Sequence, residues 1–178
     1  MINEMIEEDI RSLDEMLSGL NKDAARYKAS RDRFNRDAET LAARRDKLQA
    51  EARTLRNQAV AYKRQRDECN LSANESKRQR DEWNERAAQM KARGGLGDIG
   101  ECRNQAQNHH QKVVKYSQQG QAAHEKMKQL YAQADEISAQ AQKCHEDYLL
   151  CRKAADKEHE NFVAVLKKIE ALRDNLPD

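Results

Sequence analysis

A step of seven residues from Ile6 meets Leu13, Leu20, Tyr27, Phe34, Leu41, Leu48, Leu55, Tyr62, Cys69, Ser76, Trp83 and Met90. Eleven of these thirteen are large apolar or aromatic, and the phase never breaks. An α-helix lays residues seven apart along one stripe, and an apolar stripe of this length demands another helix to cover it. These are heptad d positions. The a positions, four residues on, alternate small with charged over much of their length: Ala24, Arg31, Ala38, Arg45, Ala52, Ala59, Arg66, Ala73, Arg80, Ala87.

Within this stripe RDECN (66–70) and RDEWN (80–84) are near copies fourteen residues apart, with RDRFN (31–35) and RDKLQ (45–49) in the same phase. Each block puts Arg at a, its fourth residue at d and Asn or Gln at e. An Arg at a can lay its methylenes along the seam and lift the guanidinium to the flank. Lys28 with Asp32, Lys63 with Asp67 and Lys77 with Asp81 stand at i,i+4 and are expected to pair along the helix.

The pattern stops at Gly94, Gly95, Gly97 and Gly100. Glycine suits the positive φ of a helix C-cap and turn, and Asp98 with Glu101 reads as a capping box opening a second helix. There a new seam starts at Cys102 and holds phase to Leu172, with a positions running from Ala106 to Leu176, before Pro177 ends it. Two long helices joined by so short a loop lie antiparallel. The expected fold is therefore all-α, a long antiparallel coiled-coil helical hairpin of two helices and one Gly-rich turn: first helix 1–93, turn 94–100, second helix 101–176. An intertwined parallel dimer hinged at the glycines is the structural alternative. In the hairpin, a register in which paired residue numbers sum to 196 satisfies both seams. It pairs Leu20 with Leu176, Phe34 with Phe162, Cys69 with Met127 and Ser76 with Gly120, and sets Arg31 on Val165, Arg66 on Leu130 and Arg80 on the Tyr116 ring.

Composition narrows the function classes. With 36% charged residues, 4% aromatic and a mean hydropathy of −1.14, the chain lacks the large apolar side chains of a rounded core. No apolar run approaches the roughly 20 residues that span a bilayer, and the N-terminus is acidic where a signal peptide is basic. A soluble, cytoplasmic protein without membrane contact is expected. Cys69, Cys102, Cys144 and Cys151 show no CxxC spacing and read as reduced thiols packed in the seams. No phosphate loop, nucleophile elbow, HExxH or aspartyl-phosphate DxDx signature occurs, so no enzyme, cofactor, metal or small-molecule substrate is expected.

Two features remain for function. In the expected register nothing covers residues 1 to about 17, although Ile6, Ile10, Leu13, Met16, Leu17 and Leu20 are strongly apolar; this 1–20 overhang is expected to dimerise or to dock another protein. Charge is also uneven. Residues 1–23 carry 2 basic and 7 acidic side chains, residues 24–93 carry 19 and 11, and residues 94–178 carry 12 and 13. Arg36, Arg64 and Arg78 on the outer face of the first helix, flanked by Lys63 and Lys77, are candidate contacts to a phosphate backbone. Tyr27, Phe34, Tyr62 and Trp83 all lie on the seam, so base stacking is not expected. The two readings are a non-enzymatic coiled-coil scaffold or spacer making protein contacts, and an RNA- or ribosome-associated rod.

The repeated RDxxN blocks over residues 28–91 resemble uncharacterised archaeal coiled-coil proteins whose helices repeat RDxxN, a group similar to the eukaryotic nuclear segregation proteins. That resemblance implies a ribosome or RNA association. The chain departs from the pattern at Arg45–Gln49 and Arg56–Asn57, and its second helix lacks the motif.

Overall fold

The computed structural model describes residues 2–95 and 97–174, with side chains from residue 8 onward. Helix α1 spans Ile2–Ala92 and helix α2 spans Ile99–Asp174, and no strand occurs among the described residues. The chain is an all-α helical hairpin. Proline is absent from both helices and Gly19 is the only glycine in α1, so little opposes helix propagation over such lengths. Leu176 and Pro177 lie outside the described residues.

The turn is built by glycines at the end of α1. Gly94 and Gly95 have φ of 92° and 75°, the left-handed region that favours glycine. The Gly95 amide donates to Met90 O at 3.1 Å and the Gly94 amide to Lys91 O at 3.3 Å, the paired bonds of a Schellman C-cap. Asp98 caps α2, its Oδ1 accepting from the Glu101 amide at 2.8 Å. The reciprocal half of the expected capping box does not form, because the Glu101 carboxylate accepts from Gln105 Nε2 at 2.7 Å. With Asp98 as N-cap, Gly100 belongs to α2, and the turn is shorter than the 94–100 expected.

Contacts divide the chain into two units, Met1–Leu48 with Ala139–Asp178, and Gln49–Ser138. In the first, Ala24, Val165 and Ile169 form a buried cluster against which Leu17, Leu20, Tyr27 and Phe162 pack. Within this cluster the numbers of Ala24 and Val165, of Leu20 and Ile169, and of Tyr27 and Phe162 each sum to 189. In the second unit a Cβ added at Gly120 would lie 3.4 Å from the Cys69 Cβ and 3.2 Å from Asn70 Oδ1. Cys69 and Gly120 also sum to 189. The expected register of 196 is thus one heptad out: Gly120 faces Cys69 rather than Ser76, and Phe162 packs on the cluster that holds Tyr27 and not Phe34. The turn agrees with this register. A sum of 189 centres the bend between Gly94 and Gly95, where the left-handed φ values fall, whereas 196 would centre it at Asp98, which instead caps α2.

Every buried residue among those described occupies an a or d position, so the two stripes are the core. Its most deeply buried members are alanines: Ala38, Ala52, Ala59, Ala134, Ala141 and Ala155 are at most 2% exposed, while no large side chain is fully buried. Two helices shield each other on one side only. A methyl at the contact line is covered completely, but a Leu or Trp reaching past it keeps one edge in water.

Candidate functional site

The arginines of the repeat make one local arrangement four times over. Nε of Arg31, Arg45, Arg66 and Arg80 donates to Oδ1 of the next residue, Asp32, Asp46, Asp67 and Asp81, at 2.8–2.9 Å. Nη2 of each reaches the same oxygen at 2.6–2.7 Å. These carboxylates were the expected partners of Lys28, Lys63 and Lys77; no ion pair to those lysines occurs among the described residues. The reason is reach, since an Arg lying along the seam turns its fork back onto the carboxylate beside it. Recurrence of the RD dipeptide was the sequence signal for this. Each Arg stays about a quarter exposed, its stem along the seam.

Across the seam the one-heptad correction changes the partners. Arg31 lies over the Phe162 ring at 5.7 Å rather than on Val165, and Arg45 lies over Tyr148 at 5.8 Å. The expected Arg80–Tyr116 stacking is not found. Arg31 Nη1 stands 3.5 Å from His159 Nδ1, and Arg45 Nη1 stands 3.4 Å from His145 Nδ1. Arg152 donates to Asn35 Oδ1 at 3.0 Å, and Arg56 donates to Asp135 and to Ser138 Oγ at 3.1 and 3.0 Å.

The six residues expected to associate are not alike. Leu17 and Leu20 pack on the intrachain cluster and Leu13 is half-buried, whereas Ile10 is 46% and Met16 is 47% exposed. The Ile6 side chain lies outside the described residues. Because the register slides α2 toward the N-terminus, Asp174 is level with Glu15, so described residues of α2 already reach into the 1–20 stretch expected to overhang. Other exposed apolar side chains are scattered on outer positions, led by Leu71 at 71% and Leu150 at 65%.

Arg36, Lys63, Arg64, Lys77 and Arg78 are all exposed. Four of them make no ion pair among the described residues, but Arg78 donates to both Glu75 oxygens at 2.8 and 3.1 Å and lies 3.6 Å from Glu82. The hydrogen bond from Arg78 holds the Glu75 carboxyl below its ordinary range, and the same bond raises the Arg78 guanidinium. Arg78 is therefore occupied, and the basic face rests on the other four.

All four cysteines are free, Cys102 and Cys144 buried in the seams, and Cys102 Sγ lies 3.8 Å from Met90 Sδ. No group of three His, Cys, Asp or Glu that could hold a metal occurs among the described residues, nor a helix long and apolar enough to cross a membrane.

The class these observations define is an all-α two-helix hairpin with an alanine-lined seam and Arg–Asp clamps. Residues 91–177, the turn and α2, match the model of a family of unknown function, DUF7121. No curated protein and no solved structure matches the chain.

Proposed function

We propose that this chain is a non-enzymatic scaffold that associates with a second copy of itself through the N-terminal part of α1. The supporting observation is the exposure of Ile10, an a position beyond the level of Asp174, on a seam whose continuation at Leu17 and Leu20 is covered by α2; Met16, on the flank of that seam, adds exposed apolar surface beside it. An apolar stripe that runs on past its cover is completed most simply by the same stripe of another copy, since an isologous contact is self-complementary. Four free thiols, two of them in the core, suit a reducing cytoplasm. Light scattering tests the reading: the wild-type protein should have the mass of a dimer, and Ile10→Glu with Met16→Glu should return it to a monomer without loss of helix content. A wild-type monomer at tens of micromolar overturns it.

A second reading, an RNA- or ribosome-associated protein, draws on the four exposed basic side chains without ion pairs. The two separate by salt. The N-terminal segment is acidic, so its self-association should strengthen as salt screens like charges, whereas phosphate binding must weaken. No shift of an RNA probe at low salt removes the second reading.

A further inference from the structure

The repeat arginines stand at 31, 45, 66 and 80, separated by 14, 21 and 14 residues. Four of the five histidines stand at 110, 124, 145 and 159, separated by 14, 21 and 14 as well. Read antiparallel, each Arg is level with one His, their numbers summing to 190. Two of these pairs, in the unit Met1–Leu48 with Ala139–Asp178, are the Arg31–His159 and Arg45–His145 contacts. In the unit Gln49–Ser138, Arg80 and His110 line one surface cleft together with Asn84 and Arg103. By the same count His124 is level with Arg66, and its Nδ1 is buried without a hydrogen-bond partner, as is that of His109, while Arg66 donates to Asp67. A guanidinium carries only donors, so the histidine nitrogen facing it accepts. The Asn of the motif takes part as well: Arg152 donates to Asn35 in the first unit, and Asn84 shares its cleft with Arg103 in the second. RDxxN in α1 is thus answered in α2 by Arg-x6-His, at 103–110 and 152–159.

We infer that this ladder chooses the register of the hairpin. The a/d pattern alone cannot, because a slip of seven residues puts each a position at another a position and each d at another d. The ladder distinguishes the slips in both senses. Moving α2 one heptad one way brings Arg45 level with Arg152. Moving it the other way brings Arg31 level with Arg152 and Arg80 level with Arg103. Both slips lose the Arg31–His159 and Arg45–His145 contacts and the level pairing of the other two, and set arginine against arginine across the seam, where like charges repel.

Native Cys69 reports the register. With Cys102, Cys144 and Cys151 replaced by Ala, a second cysteine is placed singly by Gly120→Cys, Met127→Cys or Val113→Cys. The Gly120 position puts the Cβ atoms 3.4 Å apart, close to disulfide geometry, and the other two report a slip of one heptad either way. With the ladder intact, oxidation should close only the bond between 69 and 120. Replacing His110, His124, His145, His159, Arg103 and Arg152 by Ala should keep full helix content and let bonds to 127 or 113 form to at least a tenth of the total. Replacing the four histidines alone by Gln, which keeps an acceptor at each step, should leave 69–120 as the sole product. A six-site Ala variant that still closes only 69–120 overturns the inference. So does one that loses its helix, since the ladder is assigned the choice of register and not helix formation, and so does a Gln variant that slips.

Discussion

Gly94 and Gly95 are the residues at which the backbone itself demands glycine. At φ of 92° and 75° an added Cβ meets open space, so the penalty of Gly95→Ala is conformational alone. It should cost about 1–2 kcal/mol of unfolding free energy in urea. Gly120 is the opposite case, helical in backbone and crowded in surroundings. For Gly120→Ala the gain in helix propensity offsets the displacement of the exposed Asn70 side chain, and stability should change by less than about 1 kcal/mol. Gly120→Leu would overpack the contact with Cys69 and should cost about 1–3 kcal/mol. Asp98→Ala removes the acceptor of the Glu101 amide and should cost about 1 kcal/mol. Thermal and urea melts of these single variants check all of them. The glycine cluster and Asp98 were legible in the sequence because caps are local chemistry. Which glycines bend the chain was not, since Gly97 and Gly100 are the same letters in other conformations.

Along an element, the four RD clamps look like a source of stability and are a weak one. Each carboxylate is partly or largely exposed, and surface pairs of this kind contribute about 0–1 kcal/mol. Asp46→Ala or Asp67→Ala should therefore shift a urea midpoint little, while freeing the Arg fork to move. The Glu75–Arg78 pair has a charge consequence instead. Glu75 has a lowered pKa in the folded chain, so the stabilisation it brings is present above the ordinary glutamate range and is lost as pH falls through the folded value. Glu75→Gln should release Arg78 and, if the outer face of α1 binds RNA, tighten that binding at fixed salt in a shift assay; Arg78→Ala should change it little. The extent of both helices was readable from periodicity to within a few residues. The clamps were half readable: Arg at a was evident, but the Asp beside it was assigned to Lys partners, because i,i+4 spacing says which residues share a face and not which side chain arrives first.

For the molecule as a whole, a seam cored by alanine leaves Tyr27, Phe34, Leu41, Leu48, Leu55, Tyr62 and Trp83 half-buried. If the proposed self-association through α1 holds, folding and association are linked, and the melting temperature should rise with protein concentration; Ile10→Glu with Met16→Glu should abolish that dependence. A melting temperature independent of concentration across two decades would argue against the dimer. Charge patterns belong to this scale too: the histidine spacing in α2 answers the arginine spacing in α1, yet each is unremarked until the two helices are laid side by side.

By itself the sequence determined that the chain forms two helices, where they break, and which positions face inward, because each follows from local propensity and the turn-by-turn geometry of a helix. The tertiary structure alone decided the register, and with it every cross-helix partner and the length of seam left uncovered near Ile10. A heptad pattern is unchanged by a slip of seven residues, so the alignment is visible only in the left-handed turn at Gly94–Gly95 and in contacts such as Cys69 with Gly120 and Arg45 with His145.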